Sequence, residues 1–242
     1  MHFTSPCPTP FPARATAHLA LLMFAALTAG PDALAQTQAH SLDYASPWSL
    51  RAGPAGVFFN SRTEAQLGGQ DAPGAELGVQ DNATVAMEVG YAVTPDWTAR
   101  FVFGIPPVSA LTAQGTLKQY MPPLTGKLGS VRYAPAVLSL THGLGQWGPL
   151  RPYLGAGINY TWVVADNDGD VANLKVRSAW GRVLELGVDW PIDRSWSAFA
   201  DVRKLFVSTS ATGTVPALGG PPARVELRLD PVVLHIGVGY RF

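Results

Sequence analysis

Strict alternation of side-chain character along residues 231–242 constrains the fold of this chain more than any other feature of its sequence. One set of alternate positions is apolar or aromatic throughout, and it comprises Val232, Leu234, Ile236, Val238, Tyr240 and Phe242. The other set holds Val233, His235, Gly237, Gly239 and Arg241. Successive side chains of a β-strand point to opposite faces, so this two-residue period predicts a strand with one apolar face.

The same period recurs along the chain and predicts seven further strands. In residues 152–164, Leu154, Ile158 and Trp162 share one face, whereas Gly155 and Asn159 lie on the other. The remaining predicted strands are residues 48–59, 83–93, 97–104, 128–142, 180–190 and 196–206. Strands 48–59 and 128–142 are less regular, and they are inferred mainly from the strand count and spacing. The 25 glycines and 21 prolines argue against a helical protein.

The connections between these strands alternate in length. Short ones fall at 94–96, 143–149 and 191–195, and long ones at 60–82, 105–127, 165–178 and 208–224. An even number of strands, with short turns at one end and long loops at the other, is typical of transmembrane β-barrels. We therefore predict an all-β, eight-stranded antiparallel up-and-down barrel in the bacterial outer membrane, with short periplasmic turns and long extracellular loops.

Tryptophans concentrate near the ends of the predicted strands. Six of the seven do so: Trp48, Trp97, Trp162, Trp180, Trp190 and Trp196. An amphipathic indole ring favours the boundary between headgroups and hydrocarbon, so these are predicted membrane-interface aromatics. Charged residues make up only 14% of the chain, against about 25% in typical soluble domains. A soluble β-sandwich with mid-strand tryptophans, or a lipocalin-like barrel with an apolar interior, fits less well.

The first 35 residues have the organisation of a secretory signal peptide. Arg14 precedes a 12-residue apolar stretch at 19–30, and Ala33 and Ala35 form a small-x-small cleavage site. We predict a signal peptide at 1–35, a periplasmic N-terminal segment at 36–47 and the barrel at 48–242. Cleavage would remove Cys7, the single cysteine, and with it any disulfide or thiol nucleophile. The net charge of zero gives no indication of nucleic-acid binding.

Charged side chains fall on the predicted inward faces. They are Arg51, Glu88, Arg100, Glu185, Asp189, Asp201, Arg203 and, near the periplasmic rim, Arg241, together with His235. An eight-stranded barrel is only about wide enough for its own side chains, and an unpaired charge inside it is costly. Internal ion pairs or trapped water are therefore expected. These residues would either close the barrel or line a narrow route, and a wide aqueous pore is not expected.

Several blocks of the sequence resemble the OmpW family, which includes AlkL-type proteins. Residues 151–161, RPYLGAGINYT, are similar to that family's RPYxGAGxNYT strand. Trp180-Gly181, Gly187-Val188-Asp189-Trp190 and Asp193-Arg194-Ser195-Trp196 are similar to its WG…GVDY…RDW segment. Leu229-Asp230-Pro231 and Gly239-Tyr240-Arg241-Phe242 resemble its LDP…GYRF ending, and Leu50-Arg51-Ala52-Gly53 also matches. The blocks follow the family's order over nearly the whole predicted barrel.

The resemblance implies an apolar channel in the outer half of the barrel, closed towards the periplasm. Such a channel would take up small hydrophobic or amphipathic molecules passively and release them sideways into the membrane. On this basis Val102 and Arg203 fall near the family's inner constriction. Arg203 departs from the bulky apolar or aromatic residue expected there, so a purely hydrophobic gate is in question. The alternative is a non-conducting structural or surface-interaction barrel, for example one that docks a phage or colicin, with a lumen plugged by charges.

The same resemblance implies the partners of the chain. They are outer-membrane lipid and lipopolysaccharide, the small hydrophobic molecules themselves, and the outer-membrane assembly machinery. The last would recognise Tyr240 and Phe242 on the final strand. The sequence leaves the oligomeric state open.

Two sets of residues were candidates for metal binding or catalysis. Asp166, Asp168 and Asp170 have a spacing that suits calcium, but position 12 of such a loop would be Arg177, so a solvated loop is the better interpretation. The histidines beyond the signal peptide, His40, His142 and His235, show no convergent partners. We predict no enzyme and no cofactor, with an unrecognised lipid-modifying activity as a minor alternative.

Overall fold

The computed structural model describes residues 46–121 and 124–242. The predicted signal peptide, most of the predicted periplasmic segment and His40 lie outside the described residues. Within those ranges the chain is β-structure apart from two short 3-10 helical turns, Thr116–Tyr120 and Pro216–Leu218. No helix in this part of the chain is long and apolar enough to cross a membrane.

The described residues form fourteen strands. In chain order these are β1 Trp48–Phe58, β2 Arg62–Leu67, β3 Gln70–Asp71, β4 Ala75–Val79, β5 Asn82–Ala92, β6 Trp97–Gly104, β7 Val108–Gly115, β8 Lys127–Gly143, β9 Arg151–Asp168, β10 Ala172–Val176, β11 Ala179–Pro191, β12 Trp196–Thr214, β13 Pro222–Arg228 and β14 Val232–Arg241.

Eight of these strands close into an antiparallel barrel, which confirms the predicted fold class. Their order around the ring is β1, β5, β6, β8, β9, β11, β12, β14 and back to β1. β1 closes the ring because Leu50 lies opposite Val89 of β5 on one side and opposite Tyr240 of β14 on the other. The three short connections lie at the end of the barrel where β1 begins and β14 ends.

The regions predicted as long loops are mostly strand, which corrects the sequence-based boundaries. β9 and β12 run beyond their predicted ends, and β2, β7, β10 and β13 pair with the long barrel strands there or with each other. In β13 the inward Val225 and Leu227 are buried, whereas the outward Arg224, Glu226 and Arg228 are exposed. In the membrane-facing strands the apolar residues instead point outward. Because the apolar face changes from outside to inside, the extensions look like polar loops in the sequence.

The barrel wall has one stretch between β6 and β8 in which the ladder is interrupted. Pairing of β6 with β8 stops at Val102–Val137, and pairing of β7 with β8 begins at Val108–Arg132. Prolines stand on both edges, at 106, 107 and 135, and a proline has no backbone N–H to donate. We call residues 103–106 and 134–136 the wall break. It lies on the extracellular side of the region where the eight strands form a continuous ring.

Candidate functional site

Charged side chains from six barrel strands converge in the half of the lumen nearest the short turns. Alternation of the strands turns them inward, and barrel closure brings them together. The group comprises Arg51 of β1, Glu88 of β5, Arg100 of β6, Glu185 and Asp189 of β11, Asp201 and Arg203 of β12, and His235 of β14. We call these eight residues the ion network. All were predicted to point into the lumen, and the structure places them in one connected set.

Glu88 is completely buried at the centre of the ion network, where it accepts hydrogen bonds from Arg100 and Arg203 and forms an ion pair with Arg51. Its Oε1 lies 2.5 Å from Arg100 Nη1 and 3.3 Å from Arg51 Nη1. Its Oε2 lies 2.6 Å from Arg203 Nη2. A buried carboxylate is costly without partners, and these three charge-assisted contacts offset that cost. Arg51 also forms a bidentate pair with Asp189, at 2.6 and 2.5 Å.

Arg203 joins the remaining acids to Glu88. Its Nη2 lies 3.0 Å from Glu185 Oε1 and 3.1 Å from Asp201 Oδ2, and its Nη1 lies 3.3 Å from His235 Nδ1. The ligand atoms of Glu88, Asp201 and His235 are within 4.8 Å of one another, a spacing that a metal ion could use. The Arg203 guanidinium contacts all three of these side chains and supplies the positive charge there. The described residues therefore do not favour a metal at this point.

Uncharged side chains that the sequence analysis did not single out complete the ion network. Tyr153 Oη accepts from Arg51 Nη1 at 3.0 Å and donates to Asp201 Oδ2 at 3.4 Å. Thr141 Oγ1 accepts from Arg100 Nε at 2.9 Å. Ser139 Oγ donates to Glu185 Oε2 at 2.8 Å. The centroid of the buried Phe199 ring lies 5.0 Å from Arg51 Cζ and 4.7 Å from the centroid of the His235 ring. The same two-residue period that identified the charges also turns Tyr153 inward, and that signal could have found it.

Glycine at 187 makes room for the tyrosine. A Cβ atom on Gly187 would lie 2.4 Å from both Cζ and Oη of Tyr153, well inside van der Waals contact. The ring also lies beneath the Arg100 guanidinium, whose Cζ is 4.4 Å from the ring centroid. The absence of a side chain at 187 therefore allows a bulky aromatic residue to fill the lumen between two arginines.

The ion network closes this half of the lumen. Three guanidinium groups face four carboxylates, and each carboxylate lies within 4.0 Å of at least one arginine. Seven of the eight side chains are buried, and the Asp189 side chain is 20% exposed. Every acid is held by an arginine, so the arrangement offers charge pairing and a barrier to solutes, and no acid is poised as a general base.

Val102 lies in a separate apolar layer, not within the ion network. It packs with Ala55, Ala86, Val137, Val183, Leu205 and Val207, all buried. Val102 stands opposite Glu88 across β5 and β6, so the apolar layer and the ion network are adjacent. Of the nine predicted lumen residues, eight meet in the ion network, and Val102 belongs to the layer on its extracellular side.

Two cavities lie beyond the apolar layer, towards the long ends of the strands. The inner one has a volume of about 80 Å³, and Phe59, Leu111, Val131, Val163 and Leu229 are among its lining residues. The outer one has a volume of about 400 Å³ and is lined mainly by apolar side chains, among them Leu77, Leu111, Leu174 and Val225. Leu111 and Ala211 line both cavities, so the two are neighbours. Together we call them the apolar chamber; the apolar layer and, below it, the ion network form its floor.

The three aspartates at 166, 168 and 170 hold the backbone of the β9–β10 hairpin and its surroundings. Asp168 accepts from the backbone N–H of Asn173 and Leu174, at 3.0 and 2.9 Å. Asp170 accepts from Thr125 Oγ1 and the Gly126 N–H, at 2.9 and 2.8 Å. Asp166 accepts from the Val176 N–H at 3.4 Å. Asp166 and Asp168 are bonded to β10 and Asp170 to residues 125 and 126, and within the described ranges the three do not form a cluster of metal-ligand spacing.

The six predicted interface tryptophans are all exposed on the outer wall; five lie near strand ends, and Trp162 lies within β9, which extends beyond it to Asp168. Trp48, Trp97, Trp190 and Trp196 lie at the short-turn end of the barrel, and Trp162 and Trp180 lie towards the other end. At the turn between β11 and β12, Asp193 accepts from the N–H groups of Ser195 and Trp196, at 2.8 and 2.7 Å. These two bonds favour the ionised form and hold the pKa of the Asp193 carboxyl below its usual value.

The final strand carries its two aromatic residues on the outer wall. The Tyr240 ring packs edge-on between Trp196 and Phe242, with centroid distances of 5.0 and 5.3 Å. The N–H of Phe242 donates to the carbonyl of Trp48, the first residue of β1, at 3.3 Å. Tyr240 and Phe242 are therefore located at the junction where β14 meets β1.

The OmpW family model matches residues 47–242, which include every barrel strand. The dibenzothiophene metabolism operon protein PahQ of Pseudomonas aeruginosa is 36% identical over 197 residues, 81% of this chain and 89% of that protein. Outer membrane protein W of Escherichia coli is 29% identical over 200 residues, 78% of this chain and 89% of that protein. Outer membrane protein AlkL of Ectopseudomonas oleovorans is 25% identical over 179 residues, 74% of each.

Solved structures show the same barrel. The crystal structure of the outer membrane protein OprG from Pseudomonas aeruginosa superposes with a TM-score of 0.74 at 25% identity, covering 82% of this chain and 97% of that one. The solid-state NMR structure of AlkL in lipid bilayers superposes with a TM-score of 0.61 at 23% identity, covering 81% and 90%. At 23% identity, the similarity to the AlkL structure shows the fold alone.

Proposed function

We propose that this chain, which belongs to the OmpW family and is an outer-membrane β-barrel, is a passive channel for small hydrophobic or amphipathic molecules. The observation that carries the proposal is the apolar chamber at the extracellular end. Its outer cavity, about 400 Å³, is within the range of roughly 300–1,000 Å³ that is typical of small-molecule sites. Transfer of an apolar solute from water into such a chamber is favourable without any energy source.

The floor of the chamber argues against a straight passage to the periplasm. Below the inner cavity come the apolar layer and then the ion network, whose arginines and acids are almost completely buried. An apolar solute that entered the ion network would have to break charge pairs without replacing them, which is costly. A hydrophobic molecule therefore needs another way out of the barrel.

The wall break supplies a candidate exit into the membrane. Tyr133 and Ser109, which line the inner cavity, lie beside the interrupted ladder, and the Tyr133 N–H donates to the Pro107 carbonyl at 3.2 Å. Between that bond and the Val102–Val137 pair, no ladder pair joins the two described edges. Opening at this point breaks fewer backbone hydrogen bonds than opening elsewhere in the ring. We propose that solute leaves sideways through the wall break into the hydrocarbon.

The class of solute is suggested by a relative. PahQ, which is 36% identical, is named for an operon of dibenzothiophene metabolism, and dibenzothiophene is an apolar aromatic heterocycle. Apolar lining from Phe59, Leu111 and Leu229 suits such a flat, apolar molecule. We therefore propose polycyclic aromatic compounds and their sulfur heterocycles as the first solutes to test.

Uptake of labelled dibenzothiophene by whole cells, with and without the protein, tests the channel. The exit is tested by cysteine pairs bridged with a short bifunctional thiol reagent, because the predicted mature chain has no cysteine of its own. One pair, Phe103→Cys with Ala136→Cys, spans the wall break. The matched control, Phe101→Cys with Leu138→Cys, spans a paired position two residues away on the same strands.

We expect bridging of the wall break to lower uptake several-fold, since it holds the exit shut, while the control bridge leaves uptake unchanged. Arg203→Met should also leave uptake per assembled barrel unchanged, because the ion network is not on the route; the heat-modifiable gel band measures the assembled amount. Equal uptake with and without the protein would refute the proposal that the protein is a channel. An effect of Arg203→Met without an effect of the bridge would instead point to passage along the barrel axis.

The closed floor favours a second candidate, a non-conducting structural or surface-interaction barrel. The observation behind it is the network of ion pairs that fills the lower lumen. Planar-bilayer recordings separate the two when combined with uptake. A barrel with no ionic conductance that still speeds dibenzothiophene uptake is the proposed channel, and one that does neither is the non-conducting barrel.

Three finer assignments complete the proposal. The exposed tryptophans mark the two membrane boundaries, since their rings face outward in two groups, one at the short turns and one at Trp162 and Trp180. Tyr240 and Phe242 form the signal read by the outer-membrane assembly machinery, because they lie on the outer wall at the closing junction. We propose no enzymatic role, since the lumen acids are paired with Arg51, Arg100 and Arg203, and His235 is hydrogen-bonded to Arg203.

A further inference from the structure

Basic side chains gather on one side of the outer wall, just beyond the lipid-facing surface. A recess of about 780 Å³ lies there, lined by β2, the start of β11, β12 and β13. Arg62 of β2, Arg177 before β11 and Arg228 of β13 line this recess, together with the indole of Trp180. All three arginines are exposed, and we call them the arginine patch.

The arginine patch forms no ion pair of its own among the described residues, although Glu64 and Glu226 also line the recess and stand opposite each other across β2 and β13. Arg62 and Arg228 stand directly opposite each other across β2 and β13, a placement in which like charges destabilise a sheet. The nearby Glu226 forms its ion pair with Arg224, at 3.5 Å. Among the described residues no carboxylate lies within 4.0 Å of a guanidinium of Arg62, Arg177 or Arg228. The repulsion between Arg62 and Arg228 is therefore not offset by a contacting carboxylate, and an external anion bound between them would reduce it.

The position of the arginine patch indicates which anion. Trp180 is 67% exposed and packs against Tyr160 at 4.6 Å, so it belongs to the aromatic group at the extracellular end of the lipid-facing wall. Arg182, two residues nearer the membrane centre, is exposed on the same wall opposite Phe206. A charged side chain at that depth extends towards the headgroups. The basic surface thus begins at the edge of the hydrocarbon and continues outward, at the height of lipid phosphates.

The opposite side of the barrel has a different character. There Phe103, Ile105 and Val108 are exposed and apolar, and the exposed basic residue beside them is Arg132 of β8, which lies opposite Val108. The basic residues are therefore concentrated on one face, which carries the three arginines of the patch, whereas this part of the opposite side carries one. The difference argues for a site on that face rather than a uniform attraction to anionic lipid.

We propose that the arginine patch binds the phosphate groups of a phosphorylated glycolipid in the outer leaflet of the outer membrane. Guanidinium groups match phosphate oxygens in bidentate geometry, and two opposed arginines would share one phosphate between β2 and β13. The exposed hydroxyl of Ser208, which lies opposite Arg228 across β12 and β13, supplies a further donor at the same point. Trp180 and Phe206 contact the acyl chains below the phosphate. This binding is independent of the proposed channel.

The test measures lipid binding by the purified, folded full-length mature barrel in detergent, by native mass spectrometry. The probes are lipid A carrying two phosphates, lipid A with both phosphates removed, and inorganic phosphate. Arg62→Gln with Arg228→Gln removes the opposed pair. The matched control, Arg132→Gln with Arg194→Gln, removes the same charge from exposed positions elsewhere. A heat-modifiable band on a gel establishes that each variant is folded.

We expect the patch variant to bind diphosphorylated lipid A roughly 20- to 30-fold more weakly than the wild type, from two basic residues at the membrane surface. The control should stay within about twofold, and dephosphorylated lipid should bind wild type and patch variant alike. Arg62→Lys with Arg228→Lys should retain most of the affinity, since it keeps both charges. Without lipid, the patch variant should unfold no more easily than wild type, because it relieves like-charge repulsion.

Three results would overturn the proposal. The first is equal lipid A binding by the wild type and the patch variant. The second is an equal loss in the control variant, which would mean general attraction to anionic lipid. The third is tight binding of inorganic phosphate alone, which would make this a site for a free anion and not for a lipid.

Discussion

Replacing Arg203 with methionine is the sharpest test of how the lumen is held together. Methionine keeps a long side chain of similar reach and removes only the guanidinium. The change abolishes contacts with Glu88, Glu185 and Asp201 at 2.6, 3.0 and 3.1 Å. Two guanidiniums, those of Arg51 and Arg100, would then face the four carboxylates of the ion network.

Removing one partner of a buried ion pair costs about 3–5 kcal/mol, because the other charge stays buried without compensation. Arg203→Met removes an arginine contact from three buried acids at once. We therefore expect the free energy of unfolding to fall by about 4–5 kcal/mol, in the upper part of that range. The exposed pair Arg224–Glu226 is the internal comparison, with side chains 58% and 65% exposed. Arg224→Met should cost about 0–1 kcal/mol, since water already screens that pair.

A charge-balanced variant separates lost pairing from lost packing. Adding Glu185→Gln and Asp201→Asn to Arg203→Met leaves two guanidiniums facing two carboxylates, Glu88 and Asp189. Because it removes the two carboxylates that Arg203→Met leaves without an arginine, this triple variant should recover more than half of the loss. It should do so even though it carries two more substitutions than Arg203→Met.

Urea unfolding in lipid vesicles, followed by tryptophan fluorescence, measures these differences as shifts in the midpoint at a constant slope. Heat-modifiable gel mobility confirms that each variant has assembled before it is titrated. If Arg203→Met unfolds within about 1 kcal/mol of the wild type, the ion network does not stabilise the barrel as the buried geometry requires. A triple variant no more stable than Arg203→Met would equally refute the charge-balance argument.

Four further predictions follow from other parts of the molecule. Gly187→Ala places a Cβ 2.4 Å from the Tyr153 side chain and should lower the free energy of unfolding by about 1–3 kcal/mol in the same assay. Gly143→Ala, whose Cβ would have its nearest atom at 3.8 Å, should leave the stability unchanged. Arg203→Ala removes the guanidinium that contacts Glu88 Oε2, Asp201 and His235, whose ligand atoms lie within 4.8 Å of one another. Zn²⁺ at about 100 times its dissociation constant should then restore about 2.7 kcal/mol of stability, and adding His235→Ala should abolish this gain. Deleting Phe242 should lower the assembled fraction seen as the heat-modifiable band, while Phe242→Tyr should retain it, since the aromatic ring at the closing junction is kept. The pKa of Asp193 is lower in the folded protein, so its ionised carboxylate stabilises the β11–β12 turn above the pKa of the unfolded chain, and this stability is lost as pH falls through the folded pKa. Asp193→Ala should remove this pH-dependent part of the unfolding midpoint, and a pH profile equal to that of the wild type would contradict the prediction.

The sequence alone determined the barrel strands and the direction in which their side chains point. The two-residue period is a local property of an extended backbone, so Leu154 and Ile158 could be assigned to the lipid face without knowledge of any partner strand. The same period turned Glu88, Arg203 and His235 inward. Strand order followed too, because short turns join neighbours in an antiparallel barrel.

Only the tertiary structure decided which inward charges meet and what lies above them. Glu88 is bonded to Arg203, 115 residues away, because closure of the ring brings β5 opposite β12 across the lumen. Val102 entered an apolar layer instead, since its height along the axis depends on the register between strands. The extensions beyond the membrane were missed because the solvent changes along one strand. Lipid requires the apolar face outside and water requires it inside, and the local pattern of β13 carries no mark of which solvent surrounds it.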